Sequence, residues 1–261
     1  MDWTQAVPLG LCLAAGAAYA RELRGGRGAW RWRAAAFYGG IAALLVALVG
    51  PLDGLADRLF VAHMAQHVLL LTVAPPLLVI GRPWLRVWRP LPLRVRRPAA
   101  RGAVRAAVAA PPAAAWLLMN GTLVGWHVPA LYDAAVLHSG IHLLEHASFL
   151  ATGLLFWAVA LGAPPLQTRT TEVWRIAYLT LALFPGWALA VVLAFARSPL
   201  YPAYADLTSR PGQLSALGDQ QLAAGVMWVP GSIAYLVAIV VLFYRWLDPA
   251  TAPGRIAARP S

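Results

Sequence analysis

The sequence has no lysine, a single cysteine and few charged residues of any kind. Charged residues make up 12% of the 261 positions, about half of the ~25% that is usual in a soluble domain. One cysteine, Cys12, excludes a disulfide or a thiolate cluster within one chain. Hydrophobic residues account for 60% of the chain and the mean hydropathy is +0.63. These numbers predict an all-α membrane protein.

The net charge of +11 comes from arginine alone. In a soluble protein, such a balance would suggest that the partner is a nucleic acid. Here the arginines fall between long apolar runs, where membrane topology accounts for them. We therefore expect contact with a lipid bilayer and no nucleic-acid partner.

Seven apolar segments have a length near the ~20 residues that a helix needs to cross a bilayer. They predict a seven-transmembrane-helix bundle that forms one domain over residues 1–247. The remaining residues, 248–261, are predicted to be a disordered tail. The segments lie at about 3–20, 34–51, 59–80, 108–127, 136–161, 174–196 and 222–244.

The arginines are divided unequally between alternate connections. Loops after the odd-numbered segments carry 18 of the 21 arginines, and the other ends and loops carry 3. Positive charge accumulates on the cytoplasmic side, so the N-terminus is predicted outside and the C-terminus in the cytoplasm. The densest stretch, 82–105, is predicted to be a cytoplasmic loop that contacts anionic lipid.

All six histidines then lie in the outer half of the membrane or at its outer surface. His63 and His67 are four residues apart, and the row His138, His142 and His146 repeats the same interval. Residues at this spacing share one face of a helix. Ionisable groups at membrane depth are costly and are usually functional. A site between the third and fifth segments is therefore predicted.

Imidazole is a common ligand of copper and zinc. We predict a copper ion bound by His63, His67, His142, His146 and the soft thioether of Met227. Other groups at similar depth are candidates for additional ligands or for hydrogen bonds that orient the imidazoles. These are His127, His138, Glu145, Asp219 and Met64.

Other interpretations of the histidines stay open. They could join helices by hydrogen bonds, hold a haem between two imidazoles or bind zinc. A proton path or a copper transporter would need matching groups in the inner half, where the sequence offers only isolated Met119 and Cys12. No nucleophile–base pair, phosphate loop or carboxylate pair indicates an enzyme.

Four stretches resemble the CtaG-like cytochrome c oxidase assembly factors, which are associated with caa3-type oxidases. They are HMAQHVLLLTVAPPLLVIGRP (63–83), WHVPALYDAAVLHSGIHLLEHASFLATGLLFW (126–157), SPLYPAY (198–204) and DQQLAAGVMWVPG (219–231). The resemblance runs in order along nearly the whole chain. It implies an integral membrane protein that helps to build a haem-copper oxidase through its copper centres.

The resemblance also implies partners and site residues. The partners would be an oxidase subunit and a copper donor on the outer side of the plasma (inner) membrane. The positions of this chain that match the family's motif residues are His63, His67, His127, His142, His146, Asp219, Gln220, Met227 and Trp228.

Overall fold

A computed structural model describes most of the chain. The described residues are 3–23, 31–83, 92–109, 112–163, 170–205, 207 and 211–248. The predicted tail lies outside them except for Asp248, as do residues 84–91 of the arginine-rich stretch.

The described residues form helices and no strand. A π-helical turn, Leu69–Val73, joins the helices Phe60–Val68 and Ala74–Gly81, and a 3₁₀ turn at Pro211–Gln213 precedes the last helix. The helices are α1 Trp3–Leu23, α2 Arg31–Leu48, α3 Pro51–Ala56, α4 Phe60–Val68, α5 Ala74–Gly81, α6 Leu93–Ala109, α7 Pro112–Trp126, α8 Pro129–Leu137, α9 Ser139–Ala160, α10 Glu172–Phe195, α11 Pro202–Ala205 and α12 Ala216–Leu247.

Five described stretches are long and apolar enough to cross a membrane. This finding supports the all-α membrane class, whereas the count of seven spans and the orientation of the termini stay predictions. Helix α1 and the 15-residue α7 are not among the five. The five are Arg31–Ala56, Phe60–Gly81, Ser139–Ala160, Glu172–Phe195 and Ala216–Leu247.

The helices pack around a central rod made of α4, the π turn and α5. The rod contacts α2 on one side, α9 on another and α12 on a third, and α1 packs on α2. Helix α7 contacts both α9 and α10, and the most extensive packing joins α10 to α12. The rod is therefore the element that meets most of its neighbours, which places its side chains in the interior.

The rod is interrupted where two prolines follow the π turn. Pro75 has no N–H to donate to the carbonyl of Leu71, four residues earlier. The indole of Trp157 on α9 donates to that carbonyl instead, at 3.1 Å. Gly153 permits this approach, because a Cβ there would lie 3.0 Å from the Pro75 ring and 3.1 Å from the Leu71 oxygen. This hydrogen bond joins the rod to α9 at Leu71, about one helical turn after His67.

Two sequence predictions of local structure need correction. The predicted fifth segment, 136–161, begins too early: its spanning helix is α9, Ser139–Ala160, and the preceding helix α8 ends at Leu137. The predicted loop 82–105 is largely the helix α6 over its described part, on which Arg94, Arg97, Arg101 and Arg105 are exposed. Their spacing of three and four residues places these arginines on one face.

Candidate metal site

Four buried side chains converge where α4 meets α9. His63 and His67 come from α4, and Glu145 and His146 come from α9. One ligand atom from each of the four can be chosen so that all lie within 4.8 Å of one another. Ligands of one first-row ion stand ~2.0–2.2 Å from it, hence up to about 4.4 Å apart. A small contraction would therefore bring this set around a single ion.

Glu145 is a buried carboxylate whose two oxygens accept no hydrogen bond within the described part of the chain. Its side chain is 0% exposed. The nearest groups are the Nε2 atoms of His63, at 3.6 Å, and of His67, at 3.5 Å. A buried carboxylate without donors is costly unless a cation lies beside it. The site has the character of a cation site.

Tyr204 fixes the tautomer of His63. Burial raises the pKa of Tyr204, which keeps its phenol protonated. Its single proton is donated to the carbonyl of Ala56, and the same hydroxyl lies 3.0 Å from Nδ1 of His63. A hydroxyl that has given its proton elsewhere can only accept, so Nδ1 of neutral His63 carries the hydrogen. Nε2, which faces Glu145, therefore presents a lone pair suited to a metal.

His127 is held in the same tautomer by a backbone carbonyl. It follows the last residue of α7, is buried, and its Nδ1 lies 2.7 Å from the carbonyl of Leu123. A carbonyl only accepts, so Nδ1 donates and the Nε2 atom of the neutral ring is left with its lone pair. Its ring centroid lies 6.3 Å from that of His67. His127 thus borders the four-residue set without belonging to it.

The predicted row of three histidines is divided by the fold. His142 and His146 lie on α9 with ring centroids 4.1 Å apart. His142 is half-buried, and its ring centroid lies 5.1 Å from that of His63. His138 is exposed and lies between the two helices, where it precedes the first residue of α9. The structure brings two of the three to the site.

The two methionines lie on the other side of α4. Met64 and Met227 line a cavity of about 50 Å³, together with His67 and His127. This cavity is enclosed by the rod, α7, α10 and α12. Met64 is fully buried and Met227 half-buried, and both pack against a cluster of aromatic and aliphatic side chains. Both thioethers border this cavity beside His67, and the role of Met227 as a ligand stays a prediction.

The side chains of Asp219 and Gln220 form hydrogen bonds with backbone groups and not with the imidazoles. The Asp219 carboxylate accepts from the amides of Phe60 at 2.8 Å and Val61 at 2.9 Å. It thereby caps the start of α4, whose own N-cap residue supplies no side-chain hydrogen bond. Gln220 donates to the carbonyl of Leu193 at 3.0 Å, and its Oε1 accepts from an amide of the loop after α10. Both residues position the site.

Residues that sequence reasoning did not assign also support the site. Phe60, Tyr132, Tyr201 and Tyr204 form a cluster of contacting rings over His63. The Tyr201 hydroxyl donates to the carbonyl of His127 at 3.1 Å. The motif SPLYPAY contained both tyrosines of the loop between α10 and α12, but no periodicity connects that loop to α4.

Comparison with known proteins gives the family. Residues 13–248 match the family described as cytochrome c oxidase caa3 assembly factor. The chain belongs to this family. The five helical stretches of spanning length agree with a membrane protein. The resemblance seen in the sequence motifs is confirmed.

Three curated relatives of the chain are named as uncharacterized proteins. Uncharacterized proteins of Mycobacterium bovis and Mycobacterium tuberculosis are each 28% identical over 238 residues, or 87% of this chain. One of Mycobacterium leprae is 25% identical over 265 residues, or 97% of this chain. The chain spans 35–39% of the length of these relatives. No solved structure matches the chain.

Proposed function

We propose that this assembly factor binds a copper ion at His63, His67, Glu145 and His146 and delivers it to a subunit of a cytochrome c oxidase. The observation that carries the proposal is the set of buried, unpartnered ligand atoms. Nε2 of each of the three histidines and both oxygens of Glu145 have no hydrogen-bond partner among the described residues. If the histidines served only to join helices, these nitrogen atoms would be expected to form hydrogen bonds.

The donor set bears on which metal is bound. Three imidazoles and a carboxylate suit Cu(II) or Zn(II) better than Cu(I), which favours thiolate and thioether ligands. The family's role in assembling a copper-containing oxidase supports the choice of copper over zinc. A set without thiolate also suits a metal that must leave for another protein. A haem would need the space between the imidazoles of α4 and α9, where Glu145 lies.

The histidines lie at the end of the bundle that the arginine distribution assigns to the outer side. In this arrangement the protein resides in the plasma (inner) membrane and receives copper from an outer-side donor. His127 and His142 border the set on either side, so they are candidates for ligands during loading or release. Asp219, Gln220 and Tyr204 hold α4 and His63 in place for binding.

The test is the metal content and visible spectrum of the detergent-purified protein, beside two variants. We expect one copper per chain after loading, with nitrogen coupling in the electron paramagnetic resonance spectrum. The double variant His63→Ala with His146→Ala should lose the bound copper, whereas His138→Ala should keep it, since His138 is exposed and is not a member of the set. A parent that stays metal-free under copper loading would contradict the proposal and favour a metal-free scaffold.

A further inference from the structure

A second, larger cavity borders the four-residue set at His146. It has a volume of about 570 Å³ and lies between α1, α2, α3, α8 and α9. His142 and His146 form part of its wall on the α9 side. The small cavity with the methionines is lined by His67, so members of the four-residue set border both cavities.

The wall opposite the histidines is acidic. Asp53 and Asp57 line the cavity, and no arginine lines it among the described residues. Asp53 is held in place by Gln5, which donates to it at 2.8 Å, and by Gln66, which donates at 3.0 Å. Asp57 is exposed. Carboxylates in a cleft with low-dielectric walls raise the local concentration of cations.

The histidines connect this acidic space to the buried set. His146 is 6% exposed, its Nε2 has no hydrogen-bond partner, and it both lines the cavity and belongs to the four-residue set. His142 lies beside it on the cavity wall, half-buried, and its Nε2 is likewise unpartnered. These imidazoles offer a cation successive nitrogen ligands between the cavity and Glu145.

We infer that this cavity is the loading route for the metal cation, with Asp57 and Asp53 attracting the ion and His142 passing it to His146. The inference rests on the proposed metal binding. It separates two roles: the set of four decides how much metal is held at equilibrium, and the acidic cavity decides how fast the metal arrives.

The experiment is a stopped-flow measurement of Cu(II) loading into the metal-stripped full chain in detergent. Asp57→Asn should lower the bimolecular loading rate several-fold at low salt and leave the final stoichiometry unchanged. The difference from the parent should vanish at high salt, because screening removes the attraction. Asp133→Asn is the matched control: Asp133 accepts from the amide of Ala203 and does not line the cavity.

A second measurement uses the single cysteine of the chain, Cys12, which lines the same cavity. A bulky thiol reagent attached there should slow copper loading, and the same treatment of Cys12→Ala should have no effect. If Asp57→Asn and the Cys12 adduct both load at the parent rate to the parent stoichiometry, the route is wrong while the metal site stands. A parent that binds no copper would overturn both.

Discussion

His63 and Tyr204 are joined by a 3.0 Å contact between Nδ1 and the phenol oxygen, across 141 positions of sequence. The tyrosine comes from a four-residue helix in the loop between the two last long helices. Because its proton goes to the carbonyl of Ala56, the hydroxyl acts as an acceptor toward Nδ1 of His63. A loop residue thus decides which nitrogen of a membrane histidine is free to bind a metal.

Tyr204→Phe is expected to weaken copper binding by about 10- to 100-fold, the usual cost of losing the partner that orients a ligand. The stoichiometry should remain that of the parent. Competition with a chelator of known affinity measures the change. Tyr201→Phe is the control, since that hydroxyl binds the carbonyl of His127 and not an imidazole. Equal affinities for the two variants would contradict the role assigned to Tyr204.

Glu145→Gln is expected to have opposite effects on the metal-free and loaded protein. Without metal, the variant removes a buried charge that no described residue hydrogen-bonds, so the free energy of unfolding should rise. With copper, it removes a ligand, so the stabilisation that added copper gives the parent should shrink. Thermal unfolding with and without copper measures both. A variant that is less stable than the parent when metal-free would show that the carboxylate has partners other than a metal.

Asp219→Ala is expected to destabilise the protein by about 1–3 kcal/mol, because a buried and a partly buried backbone amide at the start of α4 lose their acceptor. Asp219→Asn should fall between the parent and the alanine variant, since an amide keeps one oxygen. Thermal unfolding of the metal-free protein is the measurement. An alanine variant of parent stability that has lost copper would instead assign Asp219 to the metal.

Gly81→Ala is expected to destabilise the packing of α5 on α2 by roughly 1–3 kcal/mol. A Cβ at Gly81 would lie 2.7 Å from the Phe37 Cβ and 3.0 Å from its Cα, which are atoms that cannot move without the backbone. Gly121→Ala is the matched control in α7, where a Cβ meets nothing within 4 Å. It should leave the unfolding temperature unchanged or raise it. The same loss at both positions would mean that close helix packing is not the cause.

The sequence by itself determined the membrane class, most helix positions and the end of the bundle where the histidines gather. Those properties follow from local patterns: apolar runs of bilayer length and the i, i+4 spacing of His63 with His67 and of His142 with His146. The same spacing included His138 wrongly in one helix, because the break after Leu137 depends on packing and is not visible in the periodicity.

The tertiary structure alone decided which side chains meet. It placed Glu145 among three imidazoles, set Met227 and Met64 on a small cavity beside His67 and His127, and turned Asp219 toward the amides of α4. These facts depend on how α4, α9 and α12 are rotated about their axes and set in depth against one another. Helix periodicity shows which residues share a face, but it does not show which other helix that face packs against. The contact between Tyr204 and His63 joins residues 141 positions apart and forms only when the chain has folded.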